Sequence, residues 1–162
     1  MTSTESPSTD TSPADTRPAT MLWPALRYRD APAALRFLVE AFGFVEVVSY
    51  AGADDGTIAH AELAWPEGGG LMLGSVLPTS AIADVPPGTG SVYVVTSDPD
   101  GLFARATAAG AGVVREVTDQ DYGSREFTVR DPEGVHWSFG SYTGAPYPVP
   151  SASASESTST SA

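Results

Sequence analysis

The chain contains no cysteine and no lysine. The first absence excludes disulfide stapling, thiolate catalysis and thiolate-bound zinc. The second excludes Schiff-base chemistry and a glycine-rich phosphate loop that ends in lysine. Positive charge is scarce altogether: 8 basic residues stand against 20 acidic ones, a net charge of −12. An acidic surface repels phosphate backbones and anionic headgroups, which argues against nucleic-acid and membrane partners and favours a cationic ligand. No apolar run approaches the roughly 20 residues needed to cross a bilayer. The N-terminus has no basic region followed by an apolar stretch, so it does not read as a secretory signal, and the expected location is the cytoplasm. The many serines lack the Gly-x-Ser-x-Gly elbow of a hydrolase triad.

Large apolar residues are also nearly missing from both ends. Residues 1–20 and 145–162 are rich in Ser, Thr, Pro and Ala. They bury too little apolar surface to offset the entropy of ordering, so both are expected to be disordered. One domain of about 21–144 remains.

Within it, Leu22–Asp30 reads as a strand and Pro32–Phe42 as a helix. Leu35, Leu38 and Phe42 form the helix's apolar stripe, and Gly43 is its stop. Phe44–Tyr50, Thr57–Trp65 and Leu71–Val76 read as three strands, and Gly68-Gly69-Gly70 as a hairpin loop. The pattern then repeats. Ser91–Ser97 is a strand, Asp98 caps a helix to about Ala109, and Val113–Val117, Ser124–Arg130 and Val135–Tyr142 are strands. In the last hairpin the corner is Asp131-Pro132-Glu133-Gly134, where Pro presets φ and Gly supplies a positive φ. Asp30 matches Asp98, and Leu71-Met72-Leu73-Gly74 matches Trp137-Ser138-Phe139-Gly140. The chain therefore predicts an α+β fold of two βαβββ repeats, about 21–76 and 90–143, with a Pro/Gly-rich linker at about 77–89. The two repeats are expected to form a curled eight-stranded mixed sheet around a cleft.

Paired βαβββ units, Leu26–Asp30 before the first helix, Ile58–Leu63 and the Arg130–Gly134 corner resemble the vicinal oxygen chelate superfamily. This is the glyoxalase, bleomycin resistance protein and dioxygenase group, and the tone is closest to its PhnB-like members. The resemblance implies homodimers that complete their clefts by pairing. It also implies metal-ligand positions early in the first strand and late in each repeat, which align with Trp23, Glu62, Ser91 and Ser138. Only Glu62 is a competent ligand; tryptophan and serine are not.

Strand alternation places Trp23, Arg27, His60, Glu62, Tyr93, His136 and Ser138 on the cleft face as ligand-binding candidates. Leu26, Tyr28, Ala61, Leu63, Val92, Val94, Val135, Trp137 and Phe139 fall on the opposite, more apolar face. Glu62 and His60 are the candidate catalytic pair, with Glu62 as a general base. No cofactor is expected. The favoured reading is a metal-free cleft that sequesters a small aromatic or cationic molecule. The alternative is a lyase, isomerase or dioxygenase using Glu62 with His60 or His136, with or without a divalent metal.

Overall fold

A computed structural model of the protein describes residues 22–145. The expectations for 1–20 and, Ala145 apart, for 145–162 lie outside the described residues. The first repeat runs β1 (Ala25–Tyr28), α1 (Ala31–Phe37), a π-helical turn (Leu38–Phe42), β2 (Val45–Ala51), β3 (Ile58–Ala64) and β4 (Gly70–Ser75). The second runs β5 (Ser91–Val95), α2 (Pro99–Ala108), β6 (Gly112–Asp119), β7 (Arg125–Arg130) and β8 (His136–Gly140). The βαβββ order thus occurs twice.

Both helices start by the same device. Ala33 N donates to Asp30 Oδ1 and Gly101 N to Asp98 Oδ1, each at 2.9 Å, with proline in the first turn. Each cap satisfies an amide that the helix leaves without a partner. Gly43, at φ 88°, ends the first helix.

The strands form two four-stranded sheets, ordered β1-β4-β3-β2 and β5-β8-β7-β6. In each, the first strand of the repeat runs parallel to the last, and the other pairs are antiparallel. The expected α+β duplication holds, with one difference. Among the described residues no strand of one sheet pairs with a strand of the other, so the eight strands stay as two open sheets. The reason lies in where the apolar faces go. The two repeats bury their apolar faces in one common core. Phe42 of the first repeat packs on Trp137 and Phe139 of the second, with ring centroids 5.3 and 4.9 Å apart. Phe44 meets Trp137, and Trp65 meets Phe139.

The alternation read from the sequence is the one observed. Leu26, Tyr28, Ala61, Leu63, Val94, Val135, Trp137 and Phe139 are buried and Val92 is half-buried, whereas Arg27, His60, Glu62, Tyr93, His136 and Ser138 are partly or fully exposed. The second set therefore lies on the sheet faces that look away from the shared core.

Polar groups join the repeats as firmly as rings do. Asp131 is buried, and its Oδ2 accepts from Tyr28 Oη at 2.8 Å and Trp137 Nε1 at 3.1 Å. Its Oδ1 accepts from the backbone N–H groups of Glu133, Gly134 and Val135 at 2.9–3.0 Å. Glu133 spans the repeats, accepting from Arg29 N and Asp30 N at 2.8 Å each. In the opposite sense, Glu67 of the β3–β4 turn accepts from Ser97 N at 2.8 Å. Arg105 of α2 donates to the carbonyls of Val39 and Glu40 at the end of the first helix.

Replacing Asp131 by Ala strands two buried side-chain donors and opens the turn, an expected loss of about 3–5 kcal/mol in urea unfolding. A loss under about 1 kcal/mol would show that the cluster is incidental. Burial first, and then the Asp131 charge, raise the Tyr28 phenol well above its ordinary value. A group whose folded pKa is raised contributes stability below its unfolded pKa and loses it as pH rises. The melting temperature is therefore expected to fall above about pH 10, the ordinary tyrosine value. Tyr28→Phe, though less stable at neutral pH, should lack that component of the alkaline decline.

Candidate functional site

Each sheet offers one open face, and the candidate residues divide between them. On the first, His60 and Glu62 are neighbours two residues apart on β3, with His60 Nε2 and Glu62 Oε1 3.0 Å apart. The imidazole stacks on Tyr50 of β2, with centroids 6.4 Å apart and planes at 24°. Arg27 lines a cavity of about 190 Å³ with the β2–β3 loop and β4. Trp23 lies just before β1 with its indole against Gly70; a Cβ there would come within 2.7 Å of the ring.

On the second face, Tyr93 of β5 and Ser138 of β8 sit side by side in register. Together with Tyr122, Glu126 and Tyr142 they line an open cavity of about 420 Å³. The rings of Tyr122 and Tyr142 meet edge to face at 5.8 Å. Tyr93 Oη accepts from Tyr142 N at 3.2 Å and lies 3.5 Å from Ser124 Oγ. Ser138 Oγ bonds Thr128 Oγ1 at 3.0 Å. His136, at the other end of β8, accepts from Arg130 Nε at 2.6 Å.

Glu126 is the least exposed acidic residue of this face, with its side chain 5% exposed. Its Oε1 accepts from Tyr122 Oη at 2.8 Å and from Arg115. Its Oε2 is buried with no hydrogen-bond partner. Burial opposes ionisation of this carboxyl. Hydrogen bonds from Tyr122 and Arg115, with a further contribution from the Ser124 hydroxyl, outweigh it and hold the pKa below the ordinary value. Tyr122 is raised in turn, first by its bond to Glu126.

Sequence reasoning brought together Tyr93 with Ser138 and His60 with Glu62, but missed Tyr122, Glu126 and Tyr142. The signal for Glu126 was present. It pairs with Gly140 and Thr128 pairs with Ser138, so counting back by two along β7 puts Glu126 on the open face. Tyr122 and Tyr142 lie outside strands, in the β6–β7 turn and after β8, where alternation says nothing.

The register also corrects the expected matching of ligand positions. Glu62 pairs with Met72 in the first sheet, as Thr128 pairs with Ser138 in the second. The counterpart of Ser138 is therefore Met72, and that of Glu62 is Thr128. The repeat-equivalent set is Trp23, Met72, Ser91 and Ser138, which contains no carboxylate, imidazole or thiolate and does not fit a divalent metal. Among the described residues no three His, Asp or Glu side chains are grouped so as to hold one.

Comparison with known proteins is consistent with this architecture. The family described as Glyoxalase/Bleomycin resistance protein/Dioxygenase superfamily matches residues 20–139. An uncharacterized protein of Mycobacterium tuberculosis (strain H37Rv) is 36% identical over 137 residues, covering 81% of this chain and 78% of its own length. The crystal structure of TioX from Micromonospora sp. ML1 is 37% identical, with a TM-score of 0.61, covering 72% of this chain and 93% of that one. A superfamily member from Sphaerobacter thermophilus, at 21% identity and TM-score 0.56, covers 75% of this chain and 97% of that one and shares the fold.

Because the folded pKa of Glu126 is lowered, its ionised form stabilises the fold above the unfolded carboxylate value and ceases to do so as pH falls through the lower folded value. The stability gap between the wild type and Glu126→Gln is expected to be widest near neutrality and to shrink below about pH 4.5. Thermal melts from pH 7 to about pH 3 would check this; a gap independent of pH would refute it.

Proposed function

The chain belongs to the glyoxalase/bleomycin resistance protein/dioxygenase superfamily, and on that premise we propose that it is a cytoplasmic, metal-free binding protein that sequesters a small aromatic or cationic molecule. The observation that carries this reading is the second open face. Three tyrosines and one ionised carboxylate line a cavity there, while the repeat-equivalent positions for a metal hold Trp, Met and Ser. Apolar walls with few polar groups are what a small-molecule pocket presents. The acidic surface favours cations over anions.

The proposal includes a homodimer. Both open faces expose large apolar side chains, among them Val45, Val47 and Tyr50 on or beside the first, and Tyr93, Val95, Tyr122 and Tyr142 on the second. A second copy laid against them would cover that surface and turn each open face into a closed cleft. The likeness of Ile58–Leu63 and of the final hairpin to the PhnB-like members supports extending the proposal to that group.

A second reading rests on the 3.0 Å contact between His60 and Glu62. A carboxylate beside an imidazole in a half-exposed cleft is equipped for general acid–base work. In that case the protein is a lyase, isomerase or dioxygenase-type enzyme, with Glu62 as base and His60 as its partner, the alternative partner His136 standing on the other sheet.

Elemental analysis of the purified protein, paired with a thermal-shift screen of aromatic cations and divalent metals, separates the two. We expect negligible metal and a melting temperature raised by aromatic cations; a ligand at 100 times its Kd adds about 2.7 kcal/mol. Stoichiometric zinc, nickel or iron would sink the metal-free reading. Loss of a measured turnover in Glu62→Gln, with the fold intact, would favour the enzyme. Light scattering should give the mass of two chains, and a monomer at all concentrations would remove the dimer.

A further inference from the structure

We propose that the tyrosine-lined cavity of the second sheet is a recognition subsite for a protonated amine carried by an aromatic ligand, with the Glu126 carboxylate in the cavity wall as the group that selects its charge. This rests on the binding-protein reading above and specifies which face, and which residue, selects the ligand. It also moves the selecting carboxylate from Glu62, which the sequence singled out, to Glu126.

Three independent observations meet at this place. The first is the buried carboxylate oxygen without a partner. Arg115 and Tyr122 both donate to Oε1, and Oε2 meets no donor at hydrogen-bonding geometry, the Ser124 hydroxyl adding a smaller pull than either of them. Buried polar atoms are nearly always paired, and an exception in an otherwise satisfied network marks a place where a donor is missing. The second is the surround. Tyr93, Tyr122 and Tyr142 line the same cavity, and tyrosine rings are groups that attract a cation and pack against an aromatic ligand. The third is the floor. Gly140 lies opposite Glu126 in the ladder, and a Cβ there would come within 2.5 Å of Tyr93 Oη and 2.6 Å of Glu126 Cβ. Glycine thus lets the phenol and the carboxylate stem close on one point from two sides. The described residues as a whole carry 16 acidic side chains against seven arginines, so the field of the domain favours the approach of a cation. The corresponding place in the first repeat is His60, whose ring nitrogen is already joined to Glu62.

The probes are 1-naphthylmethylammonium and its neutral counterpart 1-naphthylmethanol, titrated calorimetrically into the full chain at pH 7. We expect the ammonium to bind about tenfold tighter or more, the increment of one charge-assisted hydrogen bond. Glu126→Gln should bring the ratio toward one. Asp84→Asn, an equal change of charge in the linker, should leave it unchanged, and Tyr142→Ala should weaken both probes together. Amide NMR shifts in the wild type locate the site without any variant: ammonium-specific shifts are expected at Glu126, Ser138 and Tyr142. Equal affinities for the two probes, a ratio that survives in Glu126→Gln, or ammonium-specific shifts confined to His60 and Glu62 would each overturn the subsite and leave small-molecule binding intact. Failure of both probes to bind at millimolar concentration would overturn the binding reading with it.

Discussion

The carboxylate of Asp131 is the constraint on which the rest of the structure depends. One oxygen fixes the β7–β8 corner by gathering three successive backbone amides. The other ties that corner to Tyr28 at the end of β1 and to Trp137 in the centre of the core. A single buried anion thereby sets the corner, the position of the largest core side chain and the approach of one repeat to the other. Removing it would leave those donors facing an apolar interior, where an unmade hydrogen bond costs more than a made one contributes. Glu133, two residues on, extends the hold to the amides that open the first helix.

Because the repeats are joined through their apolar faces, the other faces remain free for chemistry. They are not copies of one another. The strand register sets His60 against Glu126, Glu62 against Thr128 and Met72 against Ser138. One face carries an imidazole–carboxylate pair, the other a carboxylate within a ring of tyrosines. Duplication kept the frame and let the polar residues of the open faces diverge.

Much of this was legible in the sequence because it rests on short-range rules. Asp30 and Asp98 announce helix starts, Asp131-Pro132-Glu133-Gly134 announces a tight corner, and period-two alternation sorts the strands into buried and open faces. Each of these depends on residues within a few positions of one another. The parts that escaped depend on long-range partners. How the two repeats meet rests on Phe42, Phe44 and Trp65 packing on Trp137 and Phe139, and no local pattern records that. Glu126 was overlooked because its significance comes from Arg115 and Tyr122, which occupy one oxygen, and from Gly140, which makes room. Tyr122 and Tyr142 escaped because turns and strand ends carry no face-sorting period. The matching of Glu62 with Ser138 failed because it compared different strands of the two repeats.

The paired turn contacts have a historical consequence. Pro66-Glu67-Gly68 and Pro132-Glu133-Gly134 are the same tripeptide at the same place in the two repeats, and each glutamate reaches the amides at the start of the other repeat's helix. A contact in which the same patch serves as both hand and handle is self-complementary, the property of a two-fold homodimer interface. One βαβββ unit therefore encodes everything needed to clasp its own copy. Joining two copies through the 77–89 linker turned a bimolecular encounter into an intramolecular one, at an effective concentration on the order of millimolar. Once the clasp no longer depended on identical halves, selection was free to write a different sentence on each open face.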